Sequence, residues 1–126
     1  MFLAPILREP SRAWSLIDVD TGTIVAMHVE PAFDSRTRKK GLLGRHGLEN
    51  AALVIAPCSA VHTFFMRFAI DVVFTDRQGR VLKVCHDVRP WRIAAAWRGF
   101  AAIELASGAA RRAGVCAGHL LALSSD

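Results

Sequence analysis

The chain has 126 residues, 52% of them hydrophobic and 21% charged, and a formal net charge of +5. That length fits one domain, and no apolar run reaches the roughly 18–20 residues of a membrane span, so no membrane partner is expected. Cys58, Cys85 and Cys116 are widely spaced with no CxxC, and the five histidines form no HxxxH or HExxH; a disulfide framework is excluded, and no metal site or cofactor is assigned.

Residues 1–11 read as an N-terminal tail or edge extension, and residues 12–126 as a single domain. Met1 to Leu7 is apolar, but Arg8, Glu9 and Pro10 end the run. It lacks the basic start and the apolar stretch of about 7–15 residues that mark a secretory leader. A cytoplasmic location is therefore expected, where the thiols would stay reduced. Residues 12–30 predict a β-hairpin, with Asp20-Thr21-Gly22 as its turn. A short basic helix follows over 34–44, capped by Asp34 or Ser35 and stopped at Gly44. Its last turn should pack Leu42 or Leu43 on the core and leave Arg36, Lys39 and Lys40 in water. Leu48 reads as a lone core contact, and Ala52 to Ala56 as a strand ending at Pro57.

The next stretch, Pro57 to Phe74, sets Cys58, His62, Arg67 and Asp71 among core-type residues. A turn over 57–60 and extended chain from Val61 would put His62, Phe64, Met66 and Phe68 on one face. Thr63, Phe65 and Arg67 would take the other. In extended chain Cys58 and His62 are about 13 Å apart, whereas in a helical turn their Cβ atoms approach to about 5–6 Å. A thiol–imidazole pair therefore needs coiled chain between them. Asp76 to Gly79 is a second hairpin turn, with Val81 to Val88 returning. A long connection rich in Ala, Arg and Trp runs to Gly99. Strand 100–106, a helix over 107–114 capped by Ser107 and stopped by Gly114, and a closing turn and strand over 115–123 complete the chain. Strands in quick succession with two short helices predict an α+β fold, a small mostly antiparallel β-barrel-like domain.

The run RKKGLLGRHGL over 38–48, the motif CxxxHTFFMRFxIDVVF over 58–74, Val88-x-Pro90-Trp91, and Glu104-Leu105-x-x-Gly108 together resemble the bacterial and archaeal family catalogued as domain of unknown function 192. The resemblance spans about Val19 to Leu123. It implies no activity, and many relatives look exported. Such relatives tend to carry Gly-Asp before the last strand, where the Asp braces a turn as in cradle-loop barrels. Here the pair is Gly118-His119, which puts that bracing in question.

The candidate binding residues are Cys58, His62, Thr63, Arg67, Asp71 and Trp91; none is nominated as catalytic. A Cys58–His62 pair, with Asp71 orienting the ring, would activate a thiolate. The plainer reading is a buried thiol and a backbone-bonded imidazole. Asp71 and Arg67 would form an ion pair or brace a turn. Trp91 and Trp97 lie amid Arg89, Arg92 and Arg98, a pattern that suits base stacking with phosphate neutralisation or a lid with Arg stems over indole. The expected function is binding of an unidentified small molecule or protein. An anionic ligand is favoured by the basic loops around 36–45 and 89–98. The alternatives are a Cys/His-dependent enzyme and a single-stranded nucleic-acid binder.

Overall fold

The structure is a computed structural model and describes residues 1–125. Period-two burial organises it. A five-stranded sheet carries apolar side chains on both faces, so both faces must be covered. Its strands are β3 (His28–Ala32), β4 (Ala51–Ile55), β6 (Ile70–Thr75), β7 (Val81–Val88) and β9 (Ala101–Ala106), in spatial order β3-β4-β9-β6-β7. Only β3 and β4 pair in parallel; β4–β9, β9–β6 and β6–β7 are antiparallel.

One face packs Ala52, Val54, Val73, Ala101, Ile103 and Leu105 into a core with Trp14, Leu16 and Leu121. That face is covered by a three-stranded sheet of β1 (Ser15–Asp18), β2 (Thr23–Ala26) and β10 (Leu121–Ser124), in order β10-β1-β2. Two helical turns, α1 (Ala4–Arg8) and α3 (Ala109–Ala113), contribute Ile6 and Ala110 to the same core. The opposite face packs Leu53, Ile55, Val72, Phe74 and Ala102 against Leu42, Met66 and Ala94. It is covered by the loop after α2 (Ser35–Lys40) and by a two-stranded ribbon of β5 (Ala60–His62) and β8 (Ile93–Ala95).

Among the described residues the architecture is mostly β, with three open sheets and three short helices. The expected barrel does not close: β3 and β7 end the larger sheet, and no described strand joins them. The third helix lies in residues 1–11. Phe2, Leu3 and Ile6 there are buried in the first core, because an apolar run at the chain's start still gains by leaving water.

Turn chemistry sets several elements as the sequence predicts. Asp34 caps α2, its Oδ1 accepting from the Thr37 N–H at 2.8 Å, although the helix stops at Gly41 rather than Gly44. Leu42 and Leu48 are buried. Asp76 Oδ1 accepts from the Gln78 and Arg80 N–H groups, each at 2.9 Å, closing the β6–β7 hairpin. The predicted hairpin over 12–30 is β1–β2 alone, since β3 leaves to pair with β4. The connection before Gly99 contains a strand, β8, that was not predicted. Gly108, not Ser107, is the N-cap of α3, while Gly114 stops the helix with the backbone in the left-handed region.

His119 takes up the bracing that the Gly118-His119 pair left in question. Its Nδ1 lies 2.7 Å from Oδ2 of buried Asp18. Asp18 Oδ1 accepts from the Asp20 N–H at 3.0 Å, and Asp20 Oδ2 accepts from the Leu120 N–H at 2.6 Å. These bonds close the β1–β2 turn onto β10. They also account for the approach of Asp18, Asp20 and His119 within 4.8 Å of one another. No helix among the described residues is long and apolar enough to cross a membrane.

Candidate functional site

The buried positions on the second face of the large sheet are apolar except for one. Glu104 sits on β9, the central strand, directly opposite Leu53 on one side and Val72 on the other. It is 3% exposed. No described residue hydrogen-bonds to its carboxylate, yet neither oxygen is sealed from solvent. Both conditions are met because Glu104 opens onto a cavity of about 500 Å³. Burial pushes its pKa from the ordinary 4.5 up to about 7, with the Arg45 charge pulling weakly the other way.

The cavity lies between α2 and the segment that enters the ribbon. Arg38, Lys39 and Lys40 line one side, and Cys58, His62 and Met66 line the other. Arg38 is fixed there: its Nη1 donates to the Phe33 carbonyl at 2.6 Å and reaches the Ala56 carbonyl at 3.5 Å. Arg45, just past the helix, grips Glu30 through two bonds of 2.9 and 2.8 Å. Those bonds hold the Glu30 carboxyl below its usual range. Lys39 and Lys40 point into water, and no ion pair engages either among the described residues.

Cys58 and His62 share this cavity but do not form a pair. The chain between them enters extended β5, so the coiling that a dyad needs is absent. The Cys58 thiol donates to the Ala60 carbonyl at 3.1 Å. Burial, above all, pushes the thiol's pKa up, the reverse of what an activated nucleophile needs. The His62 ring accepts at Nδ1 from the Phe64 N–H at 3.2 Å.

The other four sequence candidates lie elsewhere. Thr63 is buried under the ribbon. Its hydroxyl donates to the Arg89 carbonyl at 2.6 Å and accepts from the Arg92 N–H at 2.9 Å, which fixes the turn that carries Trp91. Asp71 is buried on the first face of the sheet. Its Oδ1 accepts from the Asp87 N–H at 2.9 Å, and its Oδ2 from the Gly108 and Ala110 N–H groups at 3.0 Å each. Of the three roles considered for it, it braces a turn: both oxygens accept backbone N–H groups rather than orienting the His62 ring, and no ion pair with Arg67 forms among the described residues. Arg67 is exposed. Trp91 is exposed on the outer surface, with Phe64 stacked on it at 5.7 Å and Phe65 edge-on at 4.7 Å. The alternation expected through 61–68 is broken by a turn at Phe65, whose φ is +65°. Thr63 and Met66 therefore go inward while Phe65 goes out.

Glu104 was not among the nominated residues. The available signal was a lone acid in the otherwise apolar run Phe100 to Ala106. A second depression, about 720 Å³, lies by β2 and α3 with Glu49 and Arg112 at its edge; none of the nominated residues lines it.

Residues 17–123 match the family model DUF192, described as "Uncharacterized ACR". No curated protein matches the chain. Two solved structures share the fold. One is a protein of unknown function from Novosphingobium aromaticivorans, with a TM-score of 0.73 and 20% identity, covering 86% of this chain and 82% of that one. The other is a Sinorhizobium meliloti protein described provisionally as a transcription regulator, with a TM-score of 0.72 and 21% identity, covering 86% of this chain and 89% of that one.

Proposed function

The chain belongs to the DUF192 family, and from that premise and the geometry beside α2 we propose that it is a binding domain for a small molecule bearing an anionic group. The observation that carries this reading is the cavity of about 500 Å³ with lysines at its rim and an unpartnered buried acid at its floor. Its volume falls in the range of small-molecule sites, and convergent polar groups in a mostly apolar wall are what such sites use for orientation. Lys39 and Lys40 offer charge to the anionic end. Glu104 offers an acceptor when ionised and a donor when protonated, so the buried end of the ligand carries a polar group such as a hydroxyl or an amine. Burial disfavours the ionised carboxylate, and a ligand that donates a hydrogen bond to Glu104 offsets that penalty. Binding is favoured over thiol catalysis because the Cys58 proton is held, not released.

Titration of the ¹⁵N-labelled chain with inorganic phosphate and with short hydroxy and amino acids tests the reading. Saturable shifts should appear at Lys39, Cys58, His62 and Glu104, and weaken about tenfold or more in a Lys39→Glu/Lys40→Glu variant, in line with two charge-assisted contacts. No shift at any cavity residue up to millimolar ligand would sink the proposal.

A further inference from the structure

The ribbon's outer face is a second feature that packing does not account for. Phe65, Trp91, Ile93 and Trp97 are 70, 57, 69 and 87% exposed. His62, Phe64, Trp91 and Phe65 form a continuous ring cluster, with centroid spacings of 4.9, 5.7 and 4.7 Å. The backbone holds them outward at a cost. Phe65, Trp91 and Arg98 have φ of +65°, +67° and +62°, a region that bulky residues avoid. The two segments that build the face, 59–70 and 88–100, contain Arg67, Arg89, Arg92 and Arg98 and no Asp or Glu. All four arginines are exposed.

We propose that this face docks on an anionic lipid surface, with Phe65, Trp91, Ile93 and Trp97 entering the interfacial layer and the four arginines meeting headgroup phosphates. Tryptophan rings favour that layer, and basic side chains beside inserted apolar ones add electrostatic attraction. A single nucleic-acid strand fits less well. Phe64 and Trp91 turn their faces on each other, and Ile93, exposed beside His62 on the ribbon, has no ring to stack a base. The lack of a spanning helix among the described residues bears on crossing a bilayer and not on lying against one.

Sedimentation with phosphatidylcholine vesicles containing roughly one-third phosphatidylglycerol tests the proposal, with pure phosphatidylcholine vesicles and a single-stranded oligonucleotide alongside. The chain should sediment with the mixed vesicles at low salt, and tryptophan emission should shift to the blue. Arg92→Gln and Arg98→Gln should each weaken binding about fivefold, and Ile93→Ser/Trp97→Ser should abolish it. All four side chains are exposed, so an unchanged melting curve verifies the fold of each variant. Three results would each overturn the proposal: no sedimentation with mixed vesicles, equal binding to phosphatidylcholine alone, or quenching by the oligonucleotide without vesicle binding. Cavity-ligand titration of Ile93→Ser/Trp97→Ser reports separately on the small-molecule reading.

Discussion

An acid on the middle strand of a five-stranded sheet has a thermodynamic signature. Glu104 holds its proton up to about pH 7 in the folded chain and to about 4.5 when free. Between those values the folded state binds more protons than the unfolded one, so stability falls as pH rises through that window and levels off above it. The shift corresponds to about 3 kcal/mol at most. Glu30 and Asp34, both with lowered pKa values, act in the opposite sense, but only at more acidic pH. Urea melts from pH 4.5 to 8 should show the decline for the natural chain and little slope for Glu104→Gln. A flat natural curve would mean that the carboxylate is better solvated than its burial indicates. The residue was legible only as an oddity: one acid among apolar neighbours reads the same whether it faces a cavity or a salt bridge, and only the sheet order separates the two.

At the scale of elements, Asp71 joins three pieces of chain. Its two oxygens accept N–H groups from the β7 irregularity at Asp87 and from the turn entering α3. Asp71→Ala leaves three backbone donors without their acceptor, and should cost about 3 kcal/mol or more. A loss under about 1 kcal/mol in a denaturant titration would show that water replaces the carboxylate. Elements whose ends are written in local chemistry were readable in advance: Asp34 for α2, Asp76 to Gly79 for the β6–β7 hairpin, Gly114 for α3. Elements defined by a distant partner were not. Strand β8 exists because Val61 and Ala94 pair over the second core, and no local pattern in Arg92 to Ala96 announces that. Residues 1–11 misled for a related reason, since their apolar side chains have no periodicity and only the finished core shows where Phe2 and Leu3 belong. Of the six nominated residues, Cys58 and His62 were placed on a cavity. Thr63 and Asp71 looked functional because a buried polar residue that satisfies backbone has the same sequence appearance as one that meets a ligand.

For the molecule as a whole, the join between the two larger sheets is the critical packing problem, and Gly79 stands in it. Its φ is +92°, and a Cβ there would meet the Leu121 carbonyl oxygen and come within 2.9 Å of the Phe2 ring. The Leu121 N–H donates to the Gly79 carbonyl at 2.8 Å, and the Val81 N–H to the His119 carbonyl at 2.8 Å. The hairpin tip, the last strand and the chain's start thus close on one another at a position with no room for a side chain. Gly79→Ala should cost at least about 2 kcal/mol and loosen amides in both sheets, read as faster hydrogen exchange at Leu121 as well as at Val81. Unchanged exchange at Leu121 would show that the sheets hold together without this contact.

His62 belongs to two surfaces at once. Its ring lines the cavity, and it also ends the row of aromatic groups on the ribbon. A single imidazole is therefore a party wall between two rooms. Any help or hindrance that an occupant of one gives to an occupant of the other is returned by an equal factor, because the linkage is reciprocal.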